Sequence, residues 1–143
     1  MIYTPLTKKA MRICLRAHQG QLDKSGMPYI LHPFLVADHM EDEYTTCAAL
    51  LHDVAEDTDI TIEDMRSMGM PEPVLRALDL LDHRDGVPYL DYVRNLKSDP
   101  IARAVKLGDL AHNSDLGRLD QVTEKDRKRL EKYKKAREIL LTE

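Results

Sequence analysis

The chain has 143 residues, of which 43% are hydrophobic and 32% charged, and its 25 acidic and 21 basic residues leave a formal net charge of -4. This length suits one domain over residues 1–143 with a substantial core. The acidic balance argues against a general nucleic-acid binder, which would need a basic face. The apolar runs are too short to span a membrane, and the first residues lack the features of a signal peptide. We therefore expect a cytoplasmic protein that binds neither nucleic acid nor membranes.

Helical periodicity recurs along the chain, whereas the alternation that is typical of strands is rare. Thr4 followed by Pro5 predicts the start of a first helix, and Gly20 predicts its end. The polar stretch 21–29 contains glycine and proline, and it predicts a loop. Cys14 and Cys47 lie among apolar neighbours without a C-x-x-C spacing, so we expect both to be buried thiols in a reducing compartment.

Seven further helices are predicted after this loop, and several of them begin at clear capping signals. Thr61 with Asp64, and Thr123 with Asp126, form the pattern of a capping box. The seven predicted helices span residues 33–40, 44–55, 61–69, 71–81, 88–96, 100–115 and 123–141. The sequence therefore predicts an all-α fold, a compact helical bundle of about eight helices joined by short connections.

Three separated segments concentrate residues that bind metals or move protons. His32 precedes the second predicted helix, and His52-Asp53 directly follows the most apolar stretch of the third. Burying an unpaired imidazole and carboxylate there would be costly, and a bound metal ion would remove that cost. Asp109, within the seventh predicted helix, is the natural further donor. Two imidazoles and two carboxylates suit Mn²⁺, Fe²⁺ or Zn²⁺ better than Ca²⁺, so the sequence predicts one divalent metal held by His32, His52, Asp53 and Asp109.

Two further carboxylates follow the His-Asp pair. Glu56 lies four residues after His52, and Asp57 lies four residues after Asp53, so a continuing helix stacks each over a proposed ligand. All of these carboxylates together would overcrowd one metal ion, and the pair is better placed to orient water or pass protons. Taken singly, a buried histidine or an acidic helix end has an ordinary structural explanation. The coincidence of all the parts in one order favours a catalytic site.

Four stretches of the chain, with the tail around Lys132-Tyr133, carry a resemblance to a known family. These stretches are Ala17–Gln21, Lys24–Pro33, Ala48–Thr58 and Val105–Ser114. The order His … His-Asp … Asp within them resembles that of the HD-domain metal-dependent phosphohydrolases. The similarity is closer to one branch, the hydrolase domain of RelA/SpoT-type proteins and their small stand-alone relatives. It covers nearly the whole chain.

The resemblance implies a specific reaction, the manganese-dependent removal of the 3′-pyrophosphate from ppGpp and pppGpp. It implies the same four metal ligands, and it implies that Glu56 and Asp57 activate water and handle the proton of the leaving group. It also implies a nucleotide pocket formed by Lys24, Ser25, Asn113, Arg129 and Tyr133. Because the sequence has no room for a synthetase domain, we do not expect this protein to synthesise ppGpp or pppGpp.

One position departs from the pattern of this family. Asp23 stands where many of these hydrolases carry a basic residue, usually arginine, that packs against the guanine. An acidic residue cannot form that cation–π contact, and it would repel a polyphosphate if it pointed inward. Met27 also replaces a residue that is often acidic. An HD-type phosphohydrolase that acts on another nucleotide or phosphoester, and a catalytically silent nucleotide-binding domain, therefore stay open as alternatives.

Overall fold

The computed structural model describes residues 1–142, and Glu143, the last residue of the predicted domain, lies outside the described part. Within residues 1–142 the chain forms nine α-helices and one 3-10 turn, and its only bridge of the β type joins Leu22 and Pro28. The helices are α1 (Pro5–Ala17), α2 (Leu31–Asp38), α3 (Glu43–Leu51), α4 (Val54–Asp57), α5 (Ile62–Ser67), α6 (Glu72–Leu81), α7 (Tyr89–Leu96), α8 (Pro100–Asn113) and α9 (Glu124–Leu141), with the 3-10 turn (Leu116–Arg118) between the last two. The predicted all-α fold is confirmed.

Helix α3 forms the centre of the bundle. Every residue from Thr45 to Leu51 is buried, because the helix packs against α1, α2, α6 and α8 on its different sides. A helix that is apolar all round suits such a position, and Ala48 and Ala49 let the neighbouring helices approach closely. The end of α3 therefore lies deep in the molecule, where the next two residues are His52 and Asp53.

The predicted helix starts are confirmed by their capping hydrogen bonds. The Thr61 hydroxyl accepts a hydrogen bond from the Asp64 amide, and the Asp64 carboxylate accepts one from the Thr61 amide. Thr123 and Asp126 form the same reciprocal pair. Each pair satisfies amide groups that the first turn of a helix would otherwise leave without partners.

The predicted helix over 44–55 is interrupted in the structure. Helix α3 ends at Leu51, and the backbone at Asp53 has φ -102° and ψ -1° before the single turn of α4 begins. Neighbouring side chains on an unbroken helix point about 100° apart. The interruption at His52-Asp53 lets both of these adjacent side chains turn toward the same point.

The start of α2 also differs from its prediction. The helix begins at Leu31 rather than at Pro33, so His32 lies in its first turn and not before it. A proline is tolerated there because the first-turn amides have no acceptor within the helix.

Helices α2 and α8 cross closely at Gly108. A methyl group built at this glycine would lie 3.0 Å from the Cε of Met40 and 3.1 Å from a methyl of Val36. Since Asp109 follows directly, this close approach brings the α8 carboxylate toward the imidazole of His32 on α2.

The fold also bears on the two cysteines and on the apolar runs of the sequence. Cys14 and Cys47 are both buried, unpaired thiols, as predicted, and burial raises the pKa of each to about 12. Across residues 1–142, every helix lacks the combination of length and hydrophobicity that a membrane crossing requires.

Candidate metal centre and adjoining pocket

Three buried side chains from separate elements meet at the centre of the molecule. The Nε2 atom of His32 lies 2.8 Å from Oδ1 of Asp109, and the Nε2 atom of His52 lies 3.3 Å from the same oxygen. One ligand atom from each residue lies within 4.8 Å of the other two. The start of α2, the end of α3 and the middle of α8 therefore present two nitrogens and an oxygen to one small volume.

Asp53, the fourth predicted ligand, lies at the edge of this trio. Its Oδ2 atom is 3.1 Å from Nε2 of His52 and 3.8 Å from Nε2 of His32. The Tyr29 hydroxyl donates a hydrogen bond to the same Oδ2 atom, which orients the carboxylate. The structure thus brings all four predicted ligands together, and it adds Tyr29, to which the sequence assigned no role.

A hydrogen bond to the backbone decides which ring nitrogen of His52 faces the cluster. Its Nδ1 atom lies 2.6 Å from the carbonyl oxygen of Ala49. Because a carbonyl can only accept a hydrogen bond, Nδ1 carries the proton and Nε2 is the atom that faces Asp53 and Asp109. Histidines that bind metals are commonly oriented by such a bond from the other ring nitrogen.

His32 is held in a similar way by His112 on α8. The two Nδ1 atoms are 2.5 Å apart, and the rings stack with their centroids 4.8 Å apart. Burial, followed by the nearby His32, lowers the pKa of His112 to about 4. A neutral His112 accepts the Nδ1 proton of His32, so that Nε2 of His32 offers its lone pair to the cluster.

Asp109 is held by a buried lysine one turn before it. The Nζ atom of Lys106 lies 2.9 Å from Oδ2 of Asp109, and it also lies 5.2 Å from the centroid of the Tyr92 ring. Burial opposes the charge on Lys106, but the Asp109 carboxylate more than offsets this and holds the pKa of the ammonium above its usual value. Oδ2 is thereby occupied, and Oδ1 remains directed at the two histidines.

The cluster fits a divalent cation. Burial would lower the pKa of His52, yet the carboxylates of Asp53 and Asp109 raise it well above its usual value. Positive charge is therefore favoured at this buried point. Two oriented imidazole nitrogens with two carboxylate oxygens are a mixed donor set of the kind that binds divalent transition metals.

Glu56 and Asp57 lie beyond the cluster on the single turn of α4, where the residues as a whole are exposed but their carboxyl groups are partly shielded from water. Burial of the carboxyl group, followed by the charge of Asp53, raises the pKa of Glu56 to about 7. The same two causes raise the pKa of Asp57. Neither residue lines the cavity of about 350 Å³ that opens beside the cluster. Their weakened acidity is what proton transfer near neutral pH requires.

A cavity of about 350 Å³ opens beside the cluster. It lies between the loop after α1, the end of α8, the 3-10 turn and the first half of α9. All five predicted nucleotide-contact residues line it. The full lining is Gln21, Leu22, Asp23, Lys24, Ser25, Tyr29, Asn113, Leu116, Arg118, Leu119, Asp126, Arg129 and Tyr133. Asn113 also connects the cavity to the cluster, because its amide donates to Oδ1 of Asp109 over 3.0 Å.

The carboxylate of Asp23 is engaged by its own loop. Its Oδ1 atom accepts hydrogen bonds from the backbone amides of Ser25 at 2.8 Å and Met27 at 3.0 Å. Gly26 has a φ of +78°, which allows the tight turn between them. Asp23 therefore shapes the loop that carries Lys24 and Ser25.

Several residues of the site were not assigned by the sequence. Lys106 lies three residues before Asp109, a spacing that places the two side chains next to each other on a helix and that can be read from the sequence. Tyr29 and His112 lie inside the recognised motifs, but their partners come from other elements. Arg118 and Asp126 enter the cavity only through the packing of the 3-10 turn and α9, and no local signal marks Arg118.

The fold and the buried His/Asp centre together define an HD-domain type of protein. No known family model matches the chain. A GTP pyrophosphokinase of Streptomyces coelicolor is 34% identical over 146 residues, which cover 93% of this chain and 16% of that protein. The bifunctional (p)ppGpp synthase/hydrolase SpoT of Escherichia coli is 36% identical over 120 residues, which cover 74% of this chain and 17% of that protein.

A solved structure shares the fold over nearly the whole chain. It belongs to a metazoan ortholog of SpoT that is described as hydrolysing ppGpp, and it matches with a TM-score of 0.80 at 23% identity. The match covers 99% of this chain and 88% of that one. The chain is therefore similar in sequence to one region of RelA/SpoT-type proteins, and it shares the fold of the metazoan ortholog. It spans less than a fifth of the length of the two bacterial relatives, at 16% and 17%.

Proposed function

We propose that this protein is a manganese-dependent phosphohydrolase that removes the 3′-pyrophosphate from ppGpp and leaves GDP. The observation that carries this proposal is the buried cluster of His32, His52 and Asp109, with Asp53 at its edge, beside a cavity lined with cations and hydrogen-bonding groups. Sequence similarity to RelA/SpoT-type proteins supports ppGpp as the substrate. Residues 1–143 would form one HD domain, and its two unpaired thiols agree with work in the cytoplasm.

One divalent metal ion would be held by Nε2 of His32, Nε2 of His52, a carboxylate oxygen of Asp53 and Oδ1 of Asp109. The mixed set of two nitrogen and two oxygen donors suits Mn²⁺, Fe²⁺ or Zn²⁺, and the resemblance to RelA/SpoT-type hydrolases favours manganese among them. When bound, the ion supplies Lewis-acid chemistry, polarising a phosphoryl oxygen and making water a better nucleophile.

Glu56 and Asp57 would handle the protons of the reaction. Glu56, whose pKa is raised to about 7, is partly protonated near neutral pH and is suited to protonate the departing oxygen. Asp57, the second carboxylate on α4, would orient the attacking water and accept its proton. The two carboxyl groups lie in different surroundings, since Asp57 is influenced by His18 and Glu56 by Lys106.

The cavity would bind the nucleotide through its polar lining. Lys24 and Arg129 supply positive charge, and Ser25 and Asn113 supply hydrogen bonds. Tyr133 offers an aromatic face from α9. These groups come from three elements, so a phosphorylated nucleotide bridges the loop after α1, α8 and α9.

A second candidate is hydrolysis of another phosphorylated nucleotide at the same centre. Asp23 favours it, because an acid that is bonded to its own loop cannot stack on a guanine base as a basic residue would. This candidate uses the same metal ligands and differs only in the occupant of the cavity.

The test is product analysis with purified protein. Incubation of ppGpp with Mn²⁺ should release pyrophosphate and GDP in equal amounts, and a chelator should stop the release. A panel of other 3′- and 5′-phosphorylated nucleotides should be turned over more slowly. Release from another nucleotide alone would move the assignment to the second candidate. Metal binding without any turnover would leave a silent binding domain and refute the proposed activity.

A further inference from the structure

The cations of the nucleotide cavity are not electrically equivalent. Its lining contains three cationic side chains, Lys24, Arg118 and Arg129, and two anionic ones, Asp23 and Asp126. Asp23 is engaged by backbone amides of its own loop. Which cation is available to a ligand therefore depends on which of the three forms an ion pair with Asp126.

Asp126 is shared by two of the three cations. Its Oδ1 atom lies 3.3 Å from Nζ of Lys24 and 3.4 Å from Nη1 of Arg129. Its Oδ2 atom accepts two hydrogen bonds from Thr123, and these bonds lower the pKa of the carboxyl group. An ionised Asp126 thus partly neutralises Lys24 and Arg129 before any ligand arrives.

Arg118 is the cavity cation that forms no direct ion pair with this carboxylate, although its charge helps to lower the pKa of Asp126. Among residues 1–142 it forms no ion pair, and its one side-chain hydrogen bond runs from Nε to the carbonyl oxygen of His112 over 3.0 Å. This bond holds one edge of the guanidinium and leaves the two Nη groups, with four N–H donors, unused. The hydroxyl of Ser25 donates to the carbonyl oxygen of Arg118, which ties the 3-10 turn to the opposite loop.

The geometry points to Arg118 as the residue that binds the 5′-diphosphate of the nucleotide through its two Nη groups. The guanidinium is half-buried and fixed at one edge, so little side-chain freedom is lost when its Nη groups bind a ligand. Two of its N–H groups can then donate side by side to two oxygens of one phosphate. The ligand class rests on the proposed function. Because Asp23 cannot supply the usual basic contact, Arg118 would provide the positive charge from the other side of the cavity.

The test compares binding of GDP and guanosine to the Mn²⁺-loaded full chain. GDP is the product of the proposed reaction, so no turnover disturbs the measurement. We expect R118Q to weaken GDP binding by roughly 10- to 100-fold, the usual size for a charge-assisted pair, and R118K to weaken it less. Guanosine binding should stay unchanged. R127Q is the matched control, because Arg127 is exposed and lies outside the cavity.

Three outcomes would overturn the assignment. They are unchanged GDP binding in R118Q, an equal loss for guanosine and GDP, which would indicate a contact with the base, and a parallel loss of Mn²⁺ affinity, which would indicate a structural effect. Absence of GDP binding by the wild-type protein would also overturn it. If the wild-type protein fails to hydrolyse ppGpp while R118Q still loses GDP binding, the proposed function fails and the role of Arg118 stands.

Discussion

The metal cluster and the nucleotide cavity adjoin each other but are built differently. The cluster lies at helices of the central bundle, its residues are buried except for the partly exposed Asp53, and each donor is oriented by a further hydrogen bond, such as those from Lys106 and Tyr29. The cavity is formed by a loop, a 3-10 turn and a highly charged helix, and its side chains are mostly half exposed. The comparison indicates that the core sets the chemistry, whereas the surface segments set which ligand is accepted.

The largest effect is expected at Asp109. The Asp109→Asn variant should lose Mn²⁺ binding and turnover, and it should also lose roughly 3–5 kcal/mol of stability, because Lys106 becomes a buried charge without its partner. Adding Lys106→Met should restore much of the stability but neither metal binding nor turnover. Denaturant unfolding and metal calorimetry measure the two effects. Recovered metal binding in the double variant would show that Asp109 is only structural.

The next effect is expected at Glu56, where chemistry and metal binding should separate. Glu56→Gln should lower kcat roughly 10²- to 10⁴-fold, the usual contribution of a general acid or base, with Mn²⁺ affinity unchanged. Steady-state kinetics and metal calorimetry on the same preparation measure both. Glu41→Gln, at an exposed glutamate that precedes α3, is the matched control. Full activity of Glu56→Gln would remove Glu56 from the mechanism.

A smaller effect is expected at His112, which touches a proposed ligand. His112→Ala removes the acceptor of the His32 ring proton, and loss of such an orienting group typically costs about 10- to 100-fold in metal affinity. His112→Asn keeps an acceptor oxygen and should recover part of the loss. Competition with a fluorescent chelator measures the affinity. Equal affinities in all three proteins would mean that His32 needs no such support.

The cavity should respond more weakly than the cluster. Asp23→Ala removes two hydrogen bonds within the loop, each worth about 0.5–1.5 kcal/mol. The KM for the nucleotide should therefore rise roughly tenfold or less, with kcat nearly unchanged, because Lys24 and Ser25 lose their fixed placement. Asp23→Asn retains the acceptor oxygen and should behave like the wild type. A kcat effect as large as that of Glu56→Gln would contradict the division between core and surface.

The smallest effect concerns stability and pH. The pKa of Glu56 is about 7 in the folded protein against 4.5 for an ordinary glutamate. The folded state therefore binds more protons between these values, and the wild type loses stability as the pH rises through them. In chelator-treated protein, Glu56→Gln should be more stable than the wild type above pH 7, by less than about 1 kcal/mol because water screens this exposed group.

The stability difference between Glu56→Gln and the wild type should depend on pH. As the pH falls below 4.5 the wild-type carboxyl group becomes protonated in both states, so the stability difference should become small there. Denaturant unfolding at pH 4 and pH 8 measures both limits. A difference that is the same at both values would mean that the substitution acts through packing and not through charge.

The sequence by itself determined most of the helices and the identity of the cluster. Capping residues such as Thr61 and Thr123 act within one turn of their own helix, so local pattern was sufficient to find them. The four cluster residues could be named because a buried His-Asp pair after an apolar helix needs a partner, and because the motifs are long. The same reasoning predicted one unbroken helix over 44–55, since local propensity carries no sign of a break at His52.

Tertiary structure decided the interruption of that helix and the partners of each donor. Which nitrogen of His32 carries a proton depends on His112, which lies 80 residues later in the chain. Likewise, the availability of Arg118 follows from a carboxylate on α9 that pairs with two other cations. Such contacts join residues far apart in sequence, and their strength depends on burial and distance, which only the packed chain defines.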